Sequence, residues 1–468
     1  MSIQSTESPL SVLNTGQAEA YQAIKEGKSI FLTGPGGTGK SFLLKHVYDT
    51  ISGSISLTAL TGCAALLLHS KAKTLHSWAG IGLGTDVVPL LISKLKNKNS
   101  RRAAKRWLET DILVIDEISM MTPDLFEKLE EIARKIRGNN RPFGGIQLVL
   151  VGDFFQLPPV VSGSQGSQSP LSPSPLATQP PIQETNFVFE SPLWQKMGLQ
   201  TCDLTEIVRQ KDPVFQTLLN EARRGEISKA SLKILRKRMD LPYSSLAIQP
   251  TMLFTRRAQV DHINMIHLRK LTTEKKTFTA TTAFLPIANT NGLHEKHPDV
   301  IHAVQSLDNA APYPVELTLA VGAQVMLLTN MNPEAGLVNG SRGVVVGFQR
   351  PLNPDETIPL TQTKDTTFPL VQFKSGDRRV IEYHTWEIAD LPGVIRKQIP
   401  LRLAYAITIH KAQGATLDCA LIDVGGRTFE YGQAYVALSR VRDIDSLYIH
   451  DVEADAFRAH PKVKKFYS

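Results

Sequence analysis

The stretch that decides the fold is Gly34-Pro35-Gly36-Gly37-Thr38-Gly39-Lys40-Ser41. It satisfies the pattern G-x-x-x-x-G-K-[ST] in full, between an apolar run that ends at Leu32 and a helical segment that begins at Ser41. Glycines let the backbone curl so that its N–H groups point at phosphate oxygens, and the start of the following helix adds positive potential. The pattern predicts that Lys40 contacts the β- and γ-phosphates of a nucleoside triphosphate and that the Ser41 hydroxyl binds Mg²⁺.

The sequence around this loop alternates between strands and helices. The runs at 30–32, 112–115 and 148–151 are continuously apolar, and the segment 123–137 carries apolar residues at helical spacing. Continuous apolar strands separated by helices are typical of a parallel sheet that is covered on both faces. We therefore expect an α/β fold built on such a sheet.

An acidic pair, Asp116-Glu117, follows the apolar run 112–115. By itself such a pair is equally well explained as a solvated surface dipeptide. At the end of a buried strand, in a chain with a phosphate-binding loop, Asp116 can hold Mg²⁺ through water and Glu117 can orient an attacking water. The pair therefore favours hydrolysis of the bound triphosphate.

Another polar segment, Gly152-Asp153-Phe154-Phe155-Gln156-Leu157-Pro158-Pro159, follows the apolar run 148–151. Gln156 carries a neutral amide at a strand end, where it can sense the γ-phosphate. An ordinary turn with two aromatic side chains in the core explains the segment equally well. Both interpretations stay open on this segment alone.

Composition and charge limit the class of protein. The 468 residues give room for roughly three domains, no apolar run approaches the roughly 18 residues of a membrane span, and the first residues lack the order of a secretory signal. Three cysteines without C-x-x-C spacing argue against a zinc site or a disulfide framework and favour a reducing, intracellular compartment. The net charge of +8 allows a polyanionic partner without requiring one.

Two regions depart from the α/β pattern. From 162 to 183, 17 of 22 residues are Ser, Pro, Gln or Gly and none is charged, so we predict a disordered loop over 162–185. Between 314 and 400, short apolar segments alternate with Gly, Asn and Asp turns, which predicts a small antiparallel barrel. The return to strand, helix and strand after residue 401 indicates that the barrel is inserted into a second α/β unit.

Several ordered motifs resemble those of the superfamily-one, group B DNA helicases, and more specifically those of the PIF (petite integration frequency) family. They are the phosphate-binding loop, Asp116-Glu117-Ile118-Ser119-Met120, the segment 152–159, Tyr405-Ala406-Ile407-Thr408-Ile409-His410-Lys411-Ala412-Gln413-Gly414 and Tyr435-Val436-Ala437-Leu438-Ser439-Arg440. The segment that begins Leu204-Thr205-Glu206-Ile207-Val208-Arg209-Gln210 and ends Arg223-Arg224-Gly225 is similar to that family's signature. The resemblance covers nearly the whole chain.

The resemblance implies two RecA-like motor domains that close on ATP and Mg²⁺, with a small wedge and an SH3-like β-barrel attached. It implies a first motor domain at 1–197, with the wedge within about 66–106, a second motor domain at 198–313 and 401–468, and the barrel at 314–400. The implied activity is ATP-driven 5′-to-3′ translocation on single-stranded DNA, with unwinding of duplexes, forks, RNA–DNA hybrids and G-quadruplexes in replication, repair, recombination and telomere maintenance. One chain supplies both halves of the cleft, so we expect a monomer.

The resemblance also implies roles for single residues. Gln17 would read the adenine, Gln156 would sense the γ-phosphate, and Arg209 and Arg440 would act as arginine fingers from the second motor domain, completing a catalytic set with Lys40 and Glu117. The residues implied in nucleotide binding are Gln17, Gly34, Pro35, Gly36, Gly37, Thr38, Gly39, Lys40, Ser41 and Gly414, with Ser41 and Asp116 as magnesium ligands. Those in segments that line the DNA are Thr61, Gly62, His76, Thr408, His410 and Lys411.

Simpler explanations stay open for several of these residues. A surface salt bridge accounts for either arginine finger, and a structural role accounts for His76 or His410. The basic run 94–106 is explained equally well as a DNA-facing surface near the wedge and as a solvated helix face. A RecD- or Dda-like helicase of the same group is the nearest alternative for the whole chain, and a nucleotide-dependent binding switch is an alternative from another class. The compartment we expect is the nucleus or the mitochondrion in a eukaryote and the cytoplasm otherwise.

Overall fold

The computed structural model describes residues 12–468 except 70, 83, 97–100, 160–185, 240, 244, 245, 247, 286–291, 333–334, 351–366, 389–390, 392 and 426–429. The polar loop predicted at 162–185 lies outside the described residues. Within the described part of the chain, no helix is both long and apolar enough to cross a membrane.

The first unit alternates strands and helices. Its strands are β1 (Ile30–Thr33), β2 (Ile55–Ala59), β3 (Lys73–Thr74), β4 (Ile112–Asp116), β5 (Gln147–Val151) and β6 (Gln200–Asp203). Its helices are α1 (Thr15–Lys25), α2 (Lys40–Thr50), α3 (Gly62–Leu68), α4 (Leu75–Ala79), α5 (Val88–Lys96), α6 (Arg101–Glu109), α7 (Pro123–Arg137) and α8 (Pro192–Lys196). The strands form a six-stranded parallel sheet in the order β3-β2-β4-β5-β1-β6, which confirms the predicted α/β class.

This sheet is buried on both faces, which explains the continuous apolar runs in its sequence. Every residue of β1 and β4 is buried. Successive side chains of a strand point to opposite faces, so Phe31 packs in the core on one face while Ile30 and Leu32 pack in the core on the other. The same alternation holds along β4.

The helices between β3 and β4 occupy the region where we expected the wedge. α5 and α6 pack on each other and on α7, and α4 packs on α6. The rings of Trp78 and Trp107 lie with centroids 4.5 Å apart and belong to the same hydrophobic core as Phe126 on α7. These helices therefore pack as part of the first unit and share its core.

The second half of the chain contains a second parallel sheet and a β-rich insertion. Its strands are β7 (Thr251–Phe254), β8 (Lys275–Thr279), β9 (Thr281–Phe284), β10 (Glu316–Ala320), β11 (Gln324–Leu327), β12 (Arg342–Gln349), β13 (Phe368–Phe373), β14 (Arg378–Val380), β15 (His384–Glu387), β16 (Val394–Gln398), β17 (Leu401–Leu403), β18 (Ala406–Thr408), β19 (Ala420–Val424) and β20 (Leu447–Val452). Its helices are α9 (Pro213–Arg224), α10 (Lys229–Arg236), α11 (Arg257–Lys270), α12 (Pro298–Ala310), α13 (Ile409–Ala412), α14 (Gln433–Leu438) and α15 (Pro461–Tyr467). The order β18-β7-β19-β20, all parallel, defines the second unit.

The β-rich insertion draws in strands from before residue 314. β8 pairs with β10 and β9 pairs with β16, so residues 275–284 join the segment that we expected at 314–400. The insertion consists of three small antiparallel sheets, β14-β13-β12-β11-β17, β15-β16-β9 and β10-β8. These pairings extend the insertion toward the amino terminus, and closure into an SH3-like barrel stays a prediction.

Two further elements cross the domain boundaries that we expected. β6 pairs in parallel with β1, so the first sheet continues past residue 197. Its sequence, Gln-Thr-Cys-Asp, has no apolar run, since β6 is an edge strand that is largely exposed. α15 follows the last strand of the second sheet, yet Val463 packs in a core of the first unit.

Candidate nucleotide and nucleic-acid site

The phosphate-binding loop leaves the carboxyl end of β1, whose neighbours in the sheet are β5 and β6. Gly39 has a φ of 83°, and a Cβ there would strike the Gln17 amide; Gly34 has a φ of 132°, and a Cβ there would strike the Leu204 carbonyl. Both the left-handed backbone and the lack of room require glycine. The loop is therefore held between α1 and the segment that follows β6.

The Lys40 side chain folds back over this loop. Its Nζ donates hydrogen bonds to the carbonyl oxygens of Gly34 (2.7 Å) and Pro35 (2.9 Å). Burial lowers the pKa of Lys40, while nearby carboxylates, led by Asp153 and Glu117, act to raise it. Lys40 thus lies near the predicted pair Asp116 and Glu117, and also near Asp153, for which the sequence predicted no role.

Gln17 supports the loop from outside. Its Nε2 donates to the Thr38 carbonyl oxygen (3.2 Å), and its Oε1 accepts a hydrogen bond from the Asn14 backbone N–H (3.2 Å) as part of the capping box of α1. Both ends of the amide are therefore engaged within the first unit. A contact between Gln17 and an adenine stays a prediction.

The acidic pair lies at the carboxyl end of β4, where the Asp116 carboxylate accepts a hydrogen bond from the Glu117 N–H (2.8 Å). Glu117 has a left-handed backbone with a φ of 58°, which is strained for a non-glycine residue and is typical of functional sites. Burial and the charge of Glu117 raise the pKa of Asp116 to about 7. Burial also raises the pKa of Glu117, while Arg440 and Lys40 act to lower it.

The segment after β5 connects the two units. Asp153 is fully buried and receives two hydrogen bonds from Arg223 of α9, one from Nε (2.8 Å) and one from Nη2 (2.9 Å). Gln156 lies buried in the same segment, where a Cβ at Gly432 of the second unit would strike its carbonyl oxygen. The predicted γ-phosphate sensor therefore lies where the units meet.

The two predicted arginine fingers reach the loop from different elements. The Arg209 backbone N–H donates to the Gly37 carbonyl oxygen (3.1 Å), and its Nη1 donates to the Ser439 carbonyl oxygen (3.2 Å). Arg209 lies between β6 and α9, so it belongs to the connection between the units and not, as we expected, to the second unit itself. This difference arises because β6 joins the first sheet.

Arg440, at the end of α14, does belong to the second unit. Its guanidinium is buried and donates to the carbonyl oxygens of Val436 (2.8 Å) and Ala412 (3.3 Å) and to the Ser439 hydroxyl (2.6 Å). Burial and the charge of Arg209 lower the pKa of Arg440, and a guanidinium in this setting remains a cation at neutral pH. A Cβ built on Gly36 would lie 3.7 Å from the Arg440 Nη2, so the guanidinium faces the phosphate-binding loop.

Two contacts across the cleft involve residues to which the sequence analysis gave no role. The Gln413 Nε2 donates to the Glu117 Oε2 (2.8 Å), and the Tyr435 hydroxyl accepts a hydrogen bond from the Gly36 N–H (2.7 Å). Burial raises the pKa of Tyr435 to about 12, so the phenol stays protonated. Both residues lie inside motifs that the sequence analysis quoted, and their positions in those motifs were the available signal.

Five of the six predicted DNA-binding residues, Thr61, Gly62, Thr408, His410 and Lys411, lie at the starts of two helices. The Thr61 hydroxyl accepts from the Ala64 N–H at the start of α3, and the Thr408 hydroxyl accepts from the Lys411 N–H at the start of α13 (3.2 Å each). Each threonine can still donate its own hydroxyl hydrogen. The two helices lie close together, since a Cβ built on Gly414, just after α13, would lie 3.1 Å from the Leu67 side chain of α3. Gly62 is the first residue of α3.

The two predicted histidines lie in half-buried positions. This burial lowers the pKa of His410 and of His76; the His76 ring lies beside Gly84. Gly414 has a φ of 79° and faces Leu67 of α3, so it contributes to the contact between units. A contact between Gly414 and a nucleotide stays a prediction.

Two parallel α/β units that meet over one phosphate-binding loop define a P-loop protein with paired RecA-like units. A family model described as "PIF1-like helicase" matches residues 12–233, and one described as "DNA helicase Pif1, 2B domain" matches residues 304–348. The chain is 38% identical over 472 residues to the ATP-dependent DNA helicase PIF1 of Homo sapiens, a match that covers 100% of this chain and 65% of the human protein. It is 32% identical over 536 residues to the ATP-dependent DNA helicase RRM3 of Saccharomyces cerevisiae, covering 100% of this chain and 69% of that protein.

Solved structures agree with these sequence matches. The Pif1 helicase from Candida albicans is 35% identical, with a TM-score of 0.72 over 97% of this chain and 99% of that one. A Bacteroides Pif1 helicase in complex with ADP-AlF3 and ssDNA is 27% identical, with a TM-score of 0.63 over 97% and 96% of the two chains. The protein therefore belongs to the PIF1-like helicase family, which decides against the RecD- or Dda-like alternative.

Proposed function

We propose that the protein is an ATP-dependent DNA helicase that moves 5′-to-3′ along single-stranded DNA. The observation that carries the ATP-dependent part of the proposal is that Glu117, at the end of β4, lies near Gln413 and Arg440 of the second unit and near Lys40. The direction of movement is proposed from membership of the family. An active site divided between two units is complete only when the units are closed, so each round of hydrolysis is coupled to their relative movement.

In this proposal each residue near the loop has a defined task. Lys40 binds the β- and γ-phosphates, Glu117 orients the attacking water, and Gln156 senses the γ-phosphate. Arg209 and Arg440 stabilise the charge that develops on the transferred phosphoryl group. The left-handed backbone of Glu117 and the hydrogen bond that its carboxylate accepts from Gln413 support the role of Glu117, because both fix the direction of the carboxylate.

Ser41 and Asp116 are the residues that would hold Mg²⁺. They offer hydroxyl and carboxylate oxygens, which are the ligand types that Mg²⁺ prefers. The Asp116 carboxylate also fits a cation on electrostatic grounds, because its buried position raises its pKa to about 7 and a nearby positive charge favours its ionised form. Mg²⁺ would neutralise negative charge on the phosphate oxygens.

The DNA strand would pass along the starts of α3 and α13. Thr61, Thr408 and Lys411 offer two hydroxyl donors and one ammonium, the groups that bind a phosphate backbone without regard to sequence. The Bacteroides relative that is described as a complex with ssDNA supports this partner for the present chain. We extend the proposal to forks, RNA–DNA hybrids and G-quadruplexes and to a role in genome maintenance on the basis of family membership. We also propose action as a monomer, because one chain supplies both halves of the cleft.

Strand displacement from tailed duplexes tests the proposal. A duplex with a 5′ single-stranded tail should be unwound in the presence of ATP and Mg²⁺, and one with a 3′ tail should not. Lys40→Ala, which removes the phosphate-binding ammonium, should abolish unwinding of both. Equal unwinding of the two substrates would reject the polarity, whereas ATP-dependent binding without unwinding of either would favour a nucleotide-dependent binding switch.

A further inference from the structure

α15 belongs to the first unit although it follows the last strand of the second. Val463 lies in the core of the first unit, and the Phe466 ring stacks on Phe189 with centroids 4.4 Å apart. The same ring meets Phe154 edge-on, at a centroid distance of 5.3 Å. The contacts of α15 therefore lie against the segments that flank the phosphate site.

The Tyr467 hydroxyl, at the end of α15, joins two of those segments. It lies 2.7 Å from the Thr33 Oγ1 and accepts a hydrogen bond from the Phe154 N–H at 3.3 Å. Thr33 is the residue before Gly34, the first residue of the phosphate-binding loop, and Phe154 is two residues before Gln156. Because β1 and β5 are neighbours in the sheet, one phenol connects the starts of both phosphate-site segments.

The surroundings of Tyr467 give this contact little freedom. Thr33 is 1% exposed and Phe154 is 2% exposed, so water has little access to either polar group. The Tyr467 ring stacks on Phe155 with centroids 5.0 Å apart and an interplanar angle of 17°. The Arg223 guanidinium, which binds Asp153, lies 4.6 Å from the Phe155 ring centroid and 5.5 Å from that of Tyr467.

We propose that Tyr467 is a positioning residue for ATP hydrolysis. Its hydroxyl sets the separation of the phosphate-binding loop from the segment that carries Gln156, and its ring supports the Asp153–Arg223 pair that joins the units. Tyr467 lies outside every motif that suggested the family, and its contribution follows from where α15 packs. The inference rests on the proposed ATPase activity, because it concerns the alignment of groups around that reaction.

Removing the hydroxyl alone tests the inference. Tyr467→Phe keeps the stacked ring, and Thr33→Val removes the partner hydroxyl with little change of shape. Thr33→Val removes one hydrogen bond and should lower the kcat of DNA-stimulated ATP hydrolysis about tenfold. Tyr467→Phe also removes the acceptor of the Phe154 N–H, so it should lower kcat by at least as much. The KM for ATP should stay within about twofold, since ground-state binding is retained.

The double variant separates positioning from general destabilisation. Because the two hydroxyls share one hydrogen bond, Tyr467→Phe with Thr33→Val should lose no more activity than Tyr467→Phe alone. Tyr243→Phe, in a loop of the second unit with its ring against Tyr448, serves as the matched control and should behave as wild type. Thr33→Val still tests the Thr33–Tyr467 hydrogen bond if the Tyr467 variant fails to fold.

The possible outcomes are distinct. A kcat within twofold of wild type in both single variants, measured on folded protein, would overturn the inference and leave the proposed function standing. A lower melting temperature with normal turnover per folded molecule would also overturn it, because that is the result of a purely structural role. Wild-type protein without DNA-stimulated turnover would reject the proposed function and this inference with it.

Discussion

The Gln413 amide of the second unit donates a 2.8 Å hydrogen bond to the Glu117 carboxylate of the first. Gln413 directly follows α13, the short helix that carries His410 and Lys411, and it is itself buried. One turn of helix therefore connects the proposed DNA contacts to the proposed water-orienting carboxylate. A shift of α13 on DNA binding would move the hydrogen bond that holds Glu117, which gives a direct physical route from DNA binding to ATP hydrolysis.

Glu117→Gln should abolish turnover and leave binding intact. The amide keeps the shape of the side chain but cannot take up a proton from the attacking water, so kcat should fall by about 10²- to 10⁴-fold. Steady-state ATP hydrolysis, together with titration of a fluorescent ADP analogue and of single-stranded DNA, measures both parts. Turnover close to wild type would remove Glu117 from this role.

Gln413→Ala should weaken the response of the enzyme to DNA. The variant loses the amide that joins α13 to Glu117, so the ratio of DNA-stimulated to basal ATP turnover should fall severalfold. Binding of single-stranded DNA, followed by fluorescence anisotropy, should change little because Gln413 is not among the proposed DNA contacts. An unchanged stimulation ratio would show that DNA acts on hydrolysis by another route.

Arg223→Ala should destabilise the protein strongly. Asp153 is fully buried, and removal of its bidentate partner leaves an uncompensated charge, which costs about 3–5 kcal/mol in the free energy of unfolding. The neighbouring Arg224 is exposed, so Arg224→Ala should change that free energy by less than about 0.5 kcal/mol. Urea denaturation of both variants measures the difference, and equal effects would contradict the importance of the pair.

Asp116 should make stability depend on pH in the absence of divalent cations. Its folded-state pKa of about 7 exceeds that of an unfolded aspartate, about 4, so the folded protein keeps a proton that the unfolded chain loses between these values. The contribution of Asp116 to stability is therefore fully present below about pH 4 and is lost as the pH rises to about 7.

Asp116→Asn, which stays neutral at every pH, provides the comparison for that dependence. The variant should be more stable than wild type at pH 8 by about 2–4 kcal/mol, and the difference should shrink as the pH falls towards 4. Melting curves in a chelating buffer check this, and a difference that does not vary with pH would contradict the raised pKa.

Local patterns predicted the parts of the fold whose physical causes are local. The phosphate-binding loop, the buried strand before Asp116 and the helix over 123–137 are specified by neighbouring residues, and the structure contains each of them. β6 was missed because an exposed edge strand needs no apolar run. Its pairing with β1 is also why Arg209 lies in the connection between units.

Long-range pairs account for most of what the sequence did not predict. The partner of Asp153 lies 70 residues away, and that of Thr33 lies 434 residues away. Nothing in the local sequence of Tyr467 indicates that α15 returns to the first unit, since the packing of that helix depends on an aromatic core assembled from distant segments. The sequence likewise did not predict the sheets that β8 and β9 join, because their partners β10 and β16 lie far along the chain.

The most direct test of the account is the ATP turnover of Arg440→Ala in the presence of single-stranded DNA. An arginine that stabilises the transferred charge from the opposite unit should contribute about 10³-fold or more to kcat, while affinity for ADP should change only a few-fold. Arg236→Ala, which removes an exposed arginine of α10, is the control, and melting temperatures confirm that both variants are folded. The account predicts a folded Arg440 variant that binds nucleotide and DNA but hardly hydrolyses ATP; a folded variant with turnover near wild type would contradict it.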